Sequence, residues 1–424
     1  MIERDEVFRI KTARKPGTLA RVLARIADFD AHIGEITTVA ITRDYNIREV
    51  TVIAPNDEAV DGIYRAIVDL PGVELVNEHF DRVFALHEGG KLAVRSRVDV
   101  RNVQDMRNVY TPGVARVSKA VSEDPKLVDR YTWKRRTVAI VSDGSRVLGL
   151  GDVGPAAALP VMEGKALFYA QLVDLNAVPI VLDTSDPDEI VETVVRIAPG
   201  FGGIHLEDIA TPAVYRIEDE LIDRLAIPVM HDDQHGTAVV VLAAVISAAR
   251  LLGTELEQLS FGQVGLGAAG SAIARLALEF PFRAVNAFDP APAAVTRLES
   301  FAASDGPPLT ASSDEQAFDR IVEESELLVL ATGKAGLLPK ERVKRGQVIL
   351  AMSNPIPEIE TEDALEAGAA VAADGTIVNN VLAYPGLFRG ALDAGAAAIT
   401  GHMKREAAGA IASLAPHGQL LPDP

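Results

Sequence analysis

The 424-residue chain has no cysteine, which excludes disulfides, thiolate nucleophiles, zinc ribbons and iron–sulfur ligation. Its longest apolar run, 237–249, falls short of the about 20 residues a membrane helix needs. The opening Met-Ile-Glu-Arg-Asp-Glu has neither the basic start nor the apolar centre of a secretory signal. Positive charge is in deficit: 41 Lys and Arg stand against 60 Asp and Glu, a formal net charge of −19. Nucleic acid and anionic membrane are therefore poor partners, and a small anionic substrate would need local cations to hold it. The expectation is a cytoplasmic protein with apolar residues enough for two or three domains.

Residues 1–90 read as a separate module. A strand at 6–13 turns through Lys15-Pro-Gly-Thr-Leu19 into a helix at 19–28, with Leu19, Val22, Leu23, Ile26 and Ala27 on one face. Alternating segments at 34–42 and 47–54 flank a hairpin-like break, a second helix follows at 57–70, and 73–86 closes the unit. The order βαββαβ is ferredoxin-like. A linker is expected at Gly89-Gly90-Lys91.

From 91 to 235 short strands alternate with helices, the pattern of a parallel α/β sheet. Strands are expected at 137–141, 178–182, 203–206 and 227–230, and helices near 156–174, 187–197 and 212–225. The strand at 203–206 ends on Glu207 and Asp208, and that at 227–230 is followed by Asp232 and Asp233. Ligands sit outside the carboxyl ends of strands in such sheets. Neighbouring side chains of a regular strand point to opposite faces, so adjacent carboxylates share a ligand only where the pleat breaks. Glu207-Asp208 alone fits a solvated strand end as well as a metal site; two such ends in one sheet favour the metal. Carboxylate ligands without cysteine favour Mg²⁺ or Mn²⁺ over zinc. His231 and His235 are expected to support these acids or face water. Tyr110 precedes a Pro-Gly turn, Arg146 lies in a glycine-dense loop at 142–154, and Lys165 interrupts an apolar helix. Such a lysine either snorkels to the surface or has a buried task.

Residues 236–424 read as a Rossmann-type domain that begins with a helix at 238–251. Gly265, Gly267 and Gly270 match G-x-G-x-x-G between a strand and a helix, and Asp289 ends the next strand about 20 residues on. Asp289 would bind the adenosine ribose diol and repel a 2′-phosphate, favouring NAD over NADP; Arg297 is the nearby base that would reverse this. Thr332, Asn354 and Asn380 stand near three later strand ends and suit a neutral cofactor shelf.

Pro-Gly-x-Leu entering the first helix, with Gly-Glu-Ile after it, resembles an ACT domain, which implies side-by-side pairing and an amino-acid effector. From about 102 to 403 the motifs Tyr-Thr-Pro-Gly-Val-Ala, Gly-Leu-Gly-Asp-Val-Gly, Met-Glu-Gly-Lys, Leu-Glu-Asp, Asp-Asp-Gln-His-Gly-Thr, Gly-Leu-Gly-Ala-Ala-Gly, Ser-Asn-Pro and Val-Asn-Asn together resemble short bacterial malic enzymes. The resemblance implies Tyr110 as general acid, Lys165 as general base and Asp232 as the residue that orients Lys165. It implies Glu207, Asp208 and Asp233 as ligands of Mg²⁺ or Mn²⁺, Arg146 and Asn380 as contacts to substrate carboxylates, and Asn354 near nicotinamide and substrate. Many short bacterial members have a small apolar residue at the position of Arg146.

The reaction implied is NAD-dependent oxidative decarboxylation of L-malate to pyruvate by a homodimer or higher homo-oligomer. Two alternatives stand beside it: a malolactic enzyme that keeps NAD bound and releases lactate, and a non-catalytic NAD and amino-acid sensor. As a base Lys165 must be neutral, and lowering its pKa by roughly 3 units from about 10.4 costs about 4 kcal/mol. Its neighbouring acids oppose that shift until a cation offsets them.

Overall fold

The computed structural model describes residues 3–76, 79–147, 150–303 and 306–424, in two compact units, Met1–Ala93 and Val94–Pro424. Residues 77–78, within the expected closing segment, and 148–149, within the glycine-dense loop, lie outside the described residues.

The first unit is an antiparallel sheet with two helices packed on it and a third, short helix after the last strand. Strands β1 (Arg4–Ala13), β2 (His32–Ile41), β3 (Tyr45–Ala54) and β4 (Val73–Leu75) lie in the order β2-β3-β1-β4, and β5 (Phe80–Asp81) also pairs with β1. Alternation along β1 and β3 buries Phe8, Ile10, Val50 and Val52 on one face. Against them pack Val22 and Ile26 of the helix Thr18–Ala27, and Ile63 and Ile67 of the helix Asp57–Val68. Asn56 caps the second helix, its side chain accepting from the Ala59 amide at 2.9 Å. The closing segment differs from expectation. After β4 come only the two residues of β5 and then the helix Arg82–His87, which Asp81 caps by accepting from the amides of Val83 and Phe84. That cap stops the strand.

The second unit holds two parallel sheets. In the first, β6 (Thr137–Ser142), β7 (Asn176–Val181), β8 (Gly203–Leu206) and β9 (Val229–His231) are ordered β7-β6-β8-β9. In the second, β10 (Ser260–Val264), β11 (Ala284–Phe288), β12 (Leu309–Ser312), β13 (Leu327–Leu330), β14 (Val348–Ala351) and β15 (Val371–Asp374) are ordered β12-β11-β10-β13-β14-β15. That is the doubly wound dinucleotide-binding order. Every residue of β6, β8, β10, β13 and β14 is buried, as expected for parallel strands covered on both faces.

The helix expected at 238–251 spans Asp232–Leu252. Gly236, just ahead of the expected start, lies inside the helix. A Cβ there would fall 1.9 Å from Asp232 Oδ1, so the glycine makes room for that carboxylate. Asp232 and Asp233 thereby occupy the first helical turn, where the helix dipole favours negative charge. By length and composition this 21-residue helix could cross a membrane, which the shorter apolar run did not suggest; here it is mostly buried. Its Val239, Leu242 and Val245 share one core with Ile140, Tyr169 and Met230 around the first sheet, and with Phe261, Val285 and Leu350 of the second.

Candidate active site

β8 brings His205, Glu207 and Asp208 to the end of the first sheet. Glu207 still pairs with the ladder, its amide donating to the Val141 carbonyl at 2.9 Å. Asp208 then adopts φ 54, a left-handed conformation uncommon outside glycine. This is the break in the pleat that two adjacent carboxylates need in order to converge. The Asp208 amide donates to Asp233 Oδ2 at 3.1 Å, which ties β8 to the first turn of the helix Asp232–Leu252. Glu207, Asp208 and Asp233 each present a carboxylate oxygen within 4.8 Å of the others. Asp233 has His231 and the Asp208 amide on Oδ2, which leaves Oδ1 available. Burial works against its ionisation, but the hydrogen bond and charge of His231 and the charge of Lys165 prevail and hold its pKa well below the carboxylate range. Burial pushes the Glu207 pKa well up, the reverse of Asp233, and three carboxylate oxygens so close together fit a hard divalent cation that would favour their charged forms.

Lys165 is one turn from Met162 and Tyr169 on the helix Pro155–Val173, both fully buried, and it points inward with them. Its Nζ lies 2.5 Å from Asp232 Oδ2, 2.8 Å from Glu207 Oε1 and 4.8 Å from the Tyr384 ring centroid. Burial pushes the lysine pKa down, but Asp232, Glu207 and Asp233 together outweigh it and hold the ammonium charged, well above its ordinary range. His205, Glu207 and Asp232 also cluster closely enough to hold a metal. Lys165 already bonds both acids of that set, so its ammonium is the cation there. Asn380 joins the cluster, donating through Nδ2 to Asp232 Oδ2 at 3.2 Å and accepting from Thr237 Oγ1.

Sequence reasoning missed the residues that hold this cluster from behind. Burial lowers the His205 pKa to about 3, so its ring is neutral. Its Nε2–H donates to the Glu207 carboxylate at 2.7 Å, and Nδ1 therefore accepts from the Tyr169 hydroxyl at 2.9 Å. The signal was there: residues two apart on a strand share a face. Glu218, buried on the helix Ala213–Arg224, accepts from the His231 amide at 2.7 Å and from the Gln234 amide group at 3.0 Å, and its other neighbour, His235 Nε2, lies at 3.2 Å. No spacing in the sequence pointed to Glu218. His231 and His235 are both buried, so neither faces water.

At the end of the second sheet a cavity of about 750 Å³ is lined by Gly265, Gly267, Gly270, Asp289 and Thr332, and by Arg146. Gly265 has φ 88, and a Cβ on it would sit 2.4 Å from the Ala331 carbonyl oxygen; one on Gly270 would sit 2.0 Å from that of Gly265. Asp289 accepts from the amides of Leu266 at 2.7 Å and Ala291 at 2.9 Å. Arg297 does not line the cavity: its guanidinium stacks 3.2 Å from the Tyr215 ring centroid. Asn354 stands exposed beyond β14 and is not among the lining residues. Tyr110, 70% exposed at the end of the helix Val103–Val109, makes no side-chain hydrogen bond among the described residues to Lys165 or the acids.

Residues 90–222 match the family model described as malic enzyme, N-terminal domain. The chain is 45% identical over 415 residues to NAD-dependent malic enzyme 1 of Bacillus subtilis (strain 168), covering 98% of this chain and 92% of that protein. The chain belongs to the malic enzyme family. The bifunctional malic/malolactic enzyme of the same organism is 42% identical over 347 residues, covering 79% of this chain and 84% of its own. Among malic enzymes of known structure, the NAD-dependent enzyme of Thermotoga maritima aligns with a TM-score of 0.72 at 34% identity, covering 81% of this chain and 95% of that one. The malic enzyme of Pyrococcus horikoshii aligns with a TM-score of 0.71 at 35% identity, covering 79% and 82%. The parallel sheets and dinucleotide-binding order are thus those of malic enzymes.

Proposed function

We propose that this malic enzyme oxidises and decarboxylates L-malate to pyruvate and CO₂ with NAD⁺ and Mg²⁺ or Mn²⁺, in the cytoplasm. The observation that carries the reading is Lys165 Nζ, held between Glu207 and Asp232 beside the three-carboxylate set of Glu207, Asp208 and Asp233. Gly265, Gly267, Gly270 and Asp289 would seat NAD⁺, which when bound would supply the hydride acceptor for C2 of malate. Glu207, Asp208 and Asp233 would hold a divalent cation, which when bound would supply positive charge beside the reacting oxygens. With a cation offsetting the neighbouring acids, Lys165 would shed its proton and, as a neutral amine, take the C2 hydroxyl proton as hydride leaves, which gives a β-keto acid, and Asp232 holds its Nζ in line. The C3–C4 bond then breaks, CO₂ leaves, and C3 of the enolate receives a proton from Tyr110. Asn380, anchored on Asp232 and Thr237, offers an amide to a substrate carboxylate. Arg146, on the wall between loop and cavity, offers a second fork.

Cofactor preference follows from the cavity. Asp289, Glu315 and Asp319 line it together with Arg146 and Lys334, and Arg297 is engaged by Tyr215; the preference rests on Asp289, the acid that ends β11 where a ribose diol would sit. The NAD-dependent relatives of Bacillus subtilis and Geobacillus stearothermophilus support the same preference. Incubation with malate, Mn²⁺ and either NAD⁺ or NADP⁺, followed at 340 nm with product identification, tests the reading. NADH with pyruvate is expected. Lactate without net NADH would establish the malolactic reading, which the bifunctional relative keeps open. Absence of turnover would leave the sensor, against which the joint presence of Lys165 and all four acids argues.

Tyr110 reaches a site in this proposal through a second copy. The helices Val103–Val109 and Val114–Glu123 bury no residue, and Val103, Met106 and Val109 are 67%, 49% and 43% exposed. Apolar faces of this kind mark an interface. Mixing Tyr110→Phe and Lys165→Ala subunits should restore up to about a quarter of the activity if each site takes one residue from each copy; no recovery would place both in one chain. The N-terminal unit is proposed as an ACT-like regulatory module. Its strand β2 exposes Ile33, Ile36, Val39 and Ile41, which suits side-by-side pairing with a second copy. Deleting residues 1–90 should abolish any amino-acid response and leave turnover intact.

A further inference from the structure

Two adjacent parallel strands of the nucleotide sheet stop together. β13 and β14 pair through Leu330 and Ala351, and the chain beyond each leaves the ladder with amide donors still to satisfy. Beyond Leu330 come Ala331, Thr332 and Gly333, which line the cavity; beyond Ala351 come Met352, Ser353 and Asn354. Both loops end on one side chain. Glu358, fully buried, accepts at Oε1 from the Thr332 amide at 2.7 Å, the Thr332 hydroxyl at 2.8 Å and the Ser353 hydroxyl at 2.6 Å. Its Oε2 accepts from the Ser353 amide at 3.2 Å. Ser353 Oγ in turn accepts from the Gly333 amide at 2.8 Å, so the pinning reaches the next residue of the cavity wall. The backbone beside Glu358 repeats the tie, its carbonyl accepting from the Leu338 amide at 2.9 Å.

A buried carboxylate is costly unless hydrogen bonds replace the water it has lost. Here two amides and two hydroxyls converge on it, and hydrogen bonds to a charged acceptor are the strong ones. The Thr332 hydroxyl is spent on this bond. Thr332 therefore serves the cavity through its backbone and its shape, not as a free hydroxyl for a ligand. Glu358 does not line the cavity.

We infer that Glu358 is a positioning residue for dinucleotide binding: from behind the cavity wall it locks the loops after β13 and β14 into one register. This rests on the reading of that cavity as the NAD site. Glu358→Gln keeps the size of the side chain but turns an NH₂ group toward donors that need an acceptor, so the loops must part.

The test is NADH fluorescence titration of the full-length protein, with Mn²⁺ binding followed in parallel by electron paramagnetic resonance. In Glu358→Gln the NADH Kd should rise about tenfold or more, the effect of misplacing one charge-assisted hydrogen bond. The Mn²⁺ Kd should stay within about twofold, since the acids lie on the other sheet, and in turnover KM for NAD⁺ should rise far more than kcat falls. An NADH Kd equal to that of the unmodified chain would overturn the inference. Failure of the unmodified chain to bind NADH would instead remove the cofactor reading and this inference with it. If Glu358→Gln does not fold, Ser353→Ala and Thr332→Val each delete one hydroxyl donor. Each should weaken NADH several-fold, and their combination by less than the product, because both act through one carboxylate. No change in either variant would sink the proposal.

Discussion

The acid pocket and the nucleotide cavity both stand beyond the ends of parallel strands, yet they are built from opposite materials. The pocket is made of charge: Lys165 lies within salt-bridge distance of Glu207 and Asp232, and Glu207, Asp208 and Asp233 crowd together. The cavity is made of room: Gly265 and Gly270 allow backbone to approach where a Cβ would collide with carbonyl oxygens. Charge must be held against its own repulsion, which is why His205, Tyr169, His231 and Glu218 stand behind the pocket. Room needs only the absence of side chains, with Glu358 to keep two loops from wandering.

That contrast predicts separable damage. The largest effect should come from Lys165→Ala, which removes the proposed base; kcat should fall roughly a thousandfold with the NADH Kd unchanged in fluorescence titration. Equal loss of NADH binding would mean that the two sites are not independent. Next, Asp208→Ala should weaken Mn²⁺ binding by about a hundredfold or more by paramagnetic resonance, again sparing NADH. The reverse lesion, Gly270→Ala, places a methyl against the Gly265 carbonyl. It should weaken NADH by about tenfold or more, since the Gly265 backbone must shift to admit it, while Mn²⁺ binds normally.

The smallest effect concerns stability and pH. Burial lowers the His205 pKa to about 3 and that of His235 to about 4. Unfolding frees each to take a proton near its ordinary 6.5. Above about pH 6.5 neither histidine costs anything; as pH falls below that, the unfolded chain binds protons that the native chain refuses, and stability declines until the native values are passed. Urea midpoints measured without metal should therefore fall between pH 6.5 and 4, and His205→Gln should flatten that slope. An unchanged slope would remove His205 as a source of acid sensitivity.

The cavity was the more legible of the two in sequence. Glycines act by position in a local motif, so Gly265, Gly267, Gly270 and Asp289 could be chosen from spacing, and the structure lines one cavity with all four. The pocket is assembled from β8, the helix Pro155–Val173, the helix Asp232–Leu252 and Asn380, far apart in the chain; pattern joined only the two acidic strand ends beforehand, and family resemblance brought in Lys165 and Asn380. Local signals misled twice. The helix was expected to start at 238, just past Gly236, but it starts at Asp232 and the missing side chain of Gly236 serves that residue. The segment 73–86 was expected to close the βαββαβ unit as a strand, but Asp81 caps a helix in its midst. Glu218 and Glu358 gave no signal, since a buried acid is indistinguishable from a surface one until its donors are known.

One helix sets a limit on how this enzyme can change. Asp232 and Asp233 ride the first turn of Asp232–Leu252, a rod about 30 Å long packed on nearly all sides by the shared core. A rigid lever cannot move two points on one end separately. Any repacking that slides or turns this helix shifts the partner of the lysine and a corner of the acid triad by the same stroke. Adjustments to proton transfer and to cation grip are thus mechanically geared, and drift in the remote core is felt at both at once.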